Sequence, residues 1–152
     1  MESKISQWFE TKIRYEKTIG DGDIKKVTEV YTVEALSFSE AEAAITKEME
    51  HYIHGEFQVK AITPAVYSEI FFSNDDKWFK EKLSFITLDE KSEKEKRSFI
   101  TYLVQAKSIN TTVKHIDEVM SKTMIDYEIA SIVETKIMDV FTHDLNSIND
   151  NK

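Results

Sequence analysis

Trp8-Phe9-Glu10-Thr11-Lys12-Ile13 opens the first half of the chain, and Trp78-Phe79-Lys80-Glu81-Lys82-Leu83 opens the second, 70 residues further on. The correspondence continues beyond these openings. Tyr31-Thr32-Val33-Glu34-Ala35 is answered by Tyr102-Leu103-Val104-Gln105-Ala106, now at a spacing of 71. Ile45 and Met49 meet Ile116 and Met120 at the same spacing, Phe57, Val59 and Ile62 meet Tyr127, Ile129 and Ile132 at 70, and Phe71 meets Phe141. A repeat of this length decides the architecture before any local pattern is considered. The chain is a tandem duplication.

One copy carries the pattern for both. Phe9, Ile13 and Tyr15 alternate with Glu10, Lys12, Arg14 and Glu16, the period of two that marks a strand with one buried face. Gly20-Asp21-Gly22-Asp23 supplies a tight turn, and residues 25–36 return as a strand rich in Val, Thr and Tyr. Ser39-Glu40-Ala41-Glu42 reads as a capping box with Phe38 as its staple. The helix that follows presents Ala41, Ile45 and Met49 along one face, with Tyr52 or Ile53 continuing it, and Gly55 is the predicted left-handed stop. Residues 56–63 alternate again, Pro64 marks an edge, bulge or break, and residues 66–72 form a last extended segment.

The second copy repeats this order with a longer, glycine-free turn at residues 89–93. Its helix, over about residues 110–124, is capped by Asn110 or Ser108 and turns Val113, Ile116, Met120 and Met124 inward. The predicted fold class is therefore α+β, a duplicated β-β-α-β-β unit with mainly antiparallel sheets, each covered by one helix, and pseudo-two-fold packing. Residues 1–152 read as one compact domain made of repeat one (7–72), repeat two (77–141) and a polar tail (142–152).

Composition narrows the function classes. Net charge is −8, from 28 acidic and 20 basic residues, and only Arg14 and Arg97 are arginine. That argues against duplex nucleic acid as a partner, because duplex binding draws on a basic stripe and on arginine for base edges and phosphates. There is no cysteine, hence no disulfide, thiolate site or cysteine nucleophile. No apolar run approaches the length of a membrane span, and Met1-Glu2-Ser3-Lys4-Ile5 lacks the features of a signal peptide, so a cytoplasmic protein with no membrane partner is expected.

Of the three glycines, Gly20, Gly22 and Gly55, none opens a phosphate-cradling loop or a nucleophile elbow. No enzyme activity and no cofactor are expected on that basis. His51 and His54, three apart at a helix end, have metal-ligand spacing but lack a third ligand and equally suit the helix dipole, so no metal is expected. His115 and His143 read as surface residues. Glu69 and Asp139 occupy the same repeat position and suit acid–base work only if they meet; alternation with apolar residues otherwise places each toward water.

The tryptophans carry the most specific signal. Alternation puts Trp8 on one strand face with Lys12 and Arg14, and Trp78 with Lys80 and Lys82, opposite Phe9 and Phe79. An aromatic plane beside cations can stack a base and neutralise a phosphate, which makes Trp8, Lys12, Arg14, Trp78, Lys80 and Lys82 the candidate ligand-binding residues, with Lys25, Lys26, Lys96 and Arg97 extending the patch. The bland alternative is that this face packs against the other half or a second subunit of a homo-oligomer, with lysine stems lying over the rings.

The chain resembles a family found in Bacteroidota and their phages and catalogued as a domain of unknown function. The resemblance rests on Trp8-Phe9 with Lys12 and Tyr15-Glu16-Lys17, on Ala35-Leu36-Ser37-Phe38-Ser39-Glu40-Ala41-Glu42, and on Tyr67-Ser68-Glu69-Ile70-Phe71-Phe72. It extends through Trp78-Phe79-Lys80, Tyr102-Leu103-Val104-Gln105-Ala106 and Ile137-Met138-Asp139-Val140-Phe141, over about residues 7–141. It implies no catalytic residue, and it implies a small accessory protein acting on a host process. The leading expectation is a non-enzymatic binding protein that sequesters a small anionic, nucleotide-type ligand. The alternatives are a module that binds and inhibits a host protein, and an enzyme of unrecognised type.

Overall fold

The computed structural model describes residues 6–143; residues 144–152, most of the polar tail expected from the sequence, and the N-terminal Met1-Glu2-Ser3-Lys4-Ile5 lie outside the described residues. The elements run β1 (Gln7–Ile19), β2 (Asp23–Ala35), α1 (Phe38–Tyr52), β3 (Phe57–Ala65), β4 (Glu69–Phe71), β5 (Lys77–Leu88), β6 (Glu95–Ala106), α2 (Ile109–Ser121), β7 (Tyr127–Glu134) and β8 (Ile137–Phe141). This is α+β, with two mostly antiparallel four-stranded sheets, and the order within each half is the expected β-β-α-β-β.

The two sheets have orders β3-β1-β2-β8 and β4-β6-β5-β7. The last strand of each repeat therefore belongs to the other repeat's sheet. β4, which closes repeat one, pairs parallel with β6, with Ile70 opposite Leu103. β8, which closes repeat two, pairs parallel with β2, with Val140 opposite Thr32. The described residues accordingly form two compact units that cut across the repeats, residues 67–136 making one and the remainder the other. Sequence alternation identifies these short strands but not their partner, because a three- or five-residue strand fits any edge of matching polarity.

In the first unit, β1 and β2 form a long hairpin with Phe9 opposite Val33 and Ile13 opposite Glu29. Its turn is tight because Gly20 and Gly22 take φ of 58° and 98°. β3 is an edge strand on the outer side of β1, which is where Pro64 is tolerated, since no further strand requires its missing donor. Phe9, Ile13, Tyr31 and Val33 pack beneath Ala41, Ile45 and Met49 of α1. In the second unit Phe79, Leu83, Tyr102 and Val104 pack beneath Ile116 and Met120 of α2 in the same way. The Phe9 and Phe79 faces are the helix-covered ones.

Local signals differ in detail from the sequence reading. α1 is capped by Ser37, not Ser39: the Ser37 hydroxyl accepts from the Glu40 amide at 3.1 Å, so Phe38 is already the first helical residue. The preceding Leu36-Ser37 must turn the chain out of β2 at once, and the earlier serine is the one still extended. Gly55 is not a left-handed stop, since only Gly20 and Gly22 among the glycines have positive φ; α1 ends at Tyr52 with Ile53 extended. Ser108 caps α2, accepting from the Thr111 amide. The helix then stops at Ser121, leaving Met124 fully exposed and Thr112, Ile116 and Met120 facing the core.

The hydrophobic burial under α1 sets a clear contrast. Ile45 is fully buried, whereas Ile24, on the outer part of the hairpin, is two-thirds exposed. Ile45→Ala is expected to cost roughly 2–5 kcal/mol of unfolding free energy, and Ile24→Ala less than about 0.5 kcal/mol, as read from the urea midpoints of the two variants.

Candidate functional site

The strand face opposite α1 carries Trp8, Glu10, Lys12, Arg14, Glu16 and Thr18 in alternation along β1. Pairing brings Arg14 beside Thr28 and Gln58, Glu16 beside Lys26, and Thr18 beside Ile24 on that same face. Residues Arg14, Glu16, Thr18, Ile24, Lys26 and Gln58 border a groove of about 640 Å³, with Gly55 and Glu56, just before β3, also lining it. The groove exists because β3 leaves β1 at Tyr15, so that the last four residues of β1 have no neighbour on that side. Tyr15 and Phe57 also reach its wall.

Arg14 and Lys26 are both exposed, and neither makes an ion pair or hydrogen bond among the described residues. Two cations thus stand on one face of a ligand-sized depression, with Glu16 and Glu56 as nearby acceptors. Trp8 and Lys12 share the face but lie further along β1 and do not line the groove. Trp8 is half-buried and Lys12 exposed.

The second unit treats its candidate residues differently. Trp78 is only 1% exposed, with the ring of Phe72 set edge-on against it at 5.5 Å, so it presents no open stacking surface. The Lys80 ammonium lies 6.0 Å from the Tyr67 ring centre, and the Lys82 ammonium 4.6 Å from that of Phe99. These lysines lie over rings of their own chain, the snorkelling arrangement expected of cations beside aromatics. The counterparts of Arg14, Lys26 and Gln58 in repeat two are Ser84, Arg97 and Glu128. Arg97 stands 3.5 Å from Glu128, so the one cation of that position meets an internal carboxylate.

The remaining sequence candidates separate. Glu69 is on β4 and Asp139 on β8, in different sheets, each near the tyrosine of its own sheet: Glu69 is in register with Tyr102 and Asp139 with Tyr31. His51 and His54 are exposed, and no group of three metal-ligating side chains occurs among the described residues. His143 is not a surface residue: its Nδ1 lies 2.7 Å from Glu40 and its amide donates to Glu34, pinning the chain after β8 beside the start of α1. His115 packs edge-on to Phe71 at 4.6 Å, so it is also partly sheltered.

Sequence reasoning missed the carboxylates under the helices. In the first unit the hydroxyls of Tyr15 and Tyr31 both donate to Glu29 Oε1, at 2.9 and 3.1 Å. Burial and the Glu29 charge push Tyr15 up to about 12 and raise Tyr31 as well. In the second unit Glu81 is completely buried on the α2-covered face of β5, where repeat one has Thr11. The available signal was the substitution itself, a glutamate at a position whose neighbours Phe79 and Leu83 point into the core.

Residues 7–143 match the family described as Domain of unknown function (DUF4494), and the chain belongs to that family. No curated protein and no solved structure gives a significant match to it.

The Glu29 arrangement has a spectroscopic consequence. Replacing Glu29 by Gln removes the anion that resists ionisation of Tyr15, so the tyrosinate absorbance of Tyr15 is expected to appear at lower pH than in the parent. It should still appear above 10, the value of an unperturbed tyrosine, because burial is the larger cause of the upward shift.

Proposed function

We propose that this is a non-enzymatic binding protein, a phage or bacterial accessory protein of the cytoplasm, that sequesters a small anionic, nucleotide-type ligand and thereby modulates a host process. The ligand's anionic group is assigned to Arg14 and Lys26 in the first-unit groove. The observation that carries this reading is the pair of exposed cations, outside any ion pair among the described residues, bordering a depression of about 640 Å³, within the range of small-molecule sites. Arginine forks onto phosphate with two parallel bonds and lysine adds a point charge. Glu16, Glu56 and Gln58 offer acceptors for the amino and imino groups of a base.

Of the six candidate residues, Arg14 is the contact assigned to the anion, and Lys12 and Trp8 extend the same face toward a longer ligand. Comparison of the repeats supports one site per chain. Glu128 occupies in repeat two the place of Gln58 and satisfies Arg97, as an internal stand-in for the anion that repeat one leaves to a ligand. Trp78, Lys80 and Lys82 are then assigned to packing within the second unit.

A second reading is a module that binds and inhibits a host protein by strand addition. Its support is the uncovered edge of β1 beyond Tyr15, where backbone groups lack a neighbouring strand.

Calorimetric titration with nucleoside mono-, di- and triphosphates tests the first reading. The expected result is one site per chain, weakened at least about tenfold by Arg14→Ala combined with Lys26→Ala, unaffected by Lys82→Ala, and sensitive to salt. Absence of heat with every nucleotide, together with a macromolecule retained by the full chain and lost on placing a proline at Thr18, favours strand addition instead.

A further inference from the structure

Glu81 is the one acidic side chain that the fold buries completely among the described residues, and neither carboxylate oxygen has a hydrogen-bond partner. It shares a strand face with Phe79 and Leu83, beneath Ile116 and Met120 of α2. At the corresponding position of repeat one, Thr11 is equally buried but its hydroxyl donates to the Tyr31 carbonyl at 2.9 Å. The fold therefore does not require a carboxyl there, and a small hydroxyl satisfies the position.

The groups that face Glu81 do nothing to hold its charge. From α2 comes Asp117, a like charge, whose Oδ1 accepts from the hydroxyl of Tyr127 on β7. From β6 comes Tyr102, directly opposite in the pairing, and beyond it Glu69 of β4. Lys80 and Lys82 on its own strand point to the opposite face. These neighbours are acids and phenols, and the one imidazole of α2, His115, packs edge-on to Phe71 of β4.

We propose that Glu81 is a proton-operated latch for α2: with its proton it stays in the core beneath the helix, and on losing that proton to solvent it favours a state in which α2 lifts and the carboxylate reaches water. Burial, with Asp117 second, pushes the buried carboxyl up to about 7 from an ordinary 4.5. The closed form thus binds the proton more tightly than the open form does. Linkage then requires opening to be rarest below about 4.5, to become up to tenfold more frequent per pH unit between about 4.5 and 7, and to level off above that. α1, which covers Thr11 instead, has no such device.

Amide hydrogen exchange of the full chain, corrected for intrinsic rates, tests the latch from pH 5 to 8. The expected protection of α2 falls on the order of a hundredfold between pH 5 and 7.5, while that of the middle of α1, around Ile45 and away from the His143–Glu40 contact at its start, changes far less. Glu81→Gln removes the α2 fall, and Asp117→Asn reduces it by relieving the repulsion. A carbon-detected titration of the Glu81 carboxyl in the unaltered chain keeps the proposal testable if Glu81→Gln fails to fold. A midpoint in the ordinary glutamate range, an α2 protection that does not change with pH, or the same slope in Glu81→Gln overturns it.

Discussion

A helix is shorter than the strands it covers, and the rest of the structure depends on that mismatch. α1 has 15 residues and β1 has 13. At about 1.5 Å per helical residue and about 3.3 Å per strand residue, the helix spans roughly half the strand's length. Along β1 burial is confined to Phe9, Thr11 and Ile13, with Tyr15 half-covered, and every residue from Glu16 onward is exposed. β5 is longer buried on both faces at its start, yet it too ends exposed at Thr87 and Leu88. The inner part of each hairpin is core; the outer part is a two-stranded ribbon whose residues are largely exposed.

The duplication places that geometry twice and then differentiates it. Helix-facing pairs such as Phe9 and Phe79, Val33 and Val104, Ile45 and Ile116, and Met49 and Met120 remain apolar in both copies because the packing under a helix tolerates little change. The uncovered positions are free to diverge. Gln58 stands against Glu128 and Lys26 against Arg97, while Arg14 stands against a buried Ser84, so that the first unit carries two cations outside any ion pair among the described residues and the second pairs Arg97 with Glu128. Buried positions also diverged, Thr32 against Leu103, Ala41 against Thr112 and Thr11 against Glu81, and at the last the cost of the change is borne by a carboxyl without partners. A neutral or satisfied group is the usual occupant of such a place. The departure is what draws attention to the second helix.

Much of the fold was legible in the residues. The two-fold repeat, the alternation of Phe9, Ile13 and Tyr15, the helical face of Ala41, Ile45 and Met49, and the assignment of Phe9 and Phe79 to the helix side all follow from period and spacing, because those periods are set by backbone geometry alone. The cap at Ser37 in place of Ser39 was not legible, since either serine has the chemistry and only the exit angle from β2 decides. The site was legible in part. Arg14 was identified by alternation, and Lys26 as an extension of its patch. Their meeting at one groove depended on where β3 leaves β1, which no local pattern records.

Composition and pattern by themselves determined that this is a cysteine-free, acidic α+β chain built twice from strand, strand, helix, strand, strand. Tertiary structure alone decided that β4 pairs with β6 and β8 with β2, that Trp78 is enclosed while Trp8 is not, and that Glu81 lies without a partner beneath α2. The physical reason is the range of the interactions. Periodicity and capping act between residues a few positions apart, whereas strand partnership, enclosure and desolvation are settled between residues tens of positions apart that meet only when the sheets form.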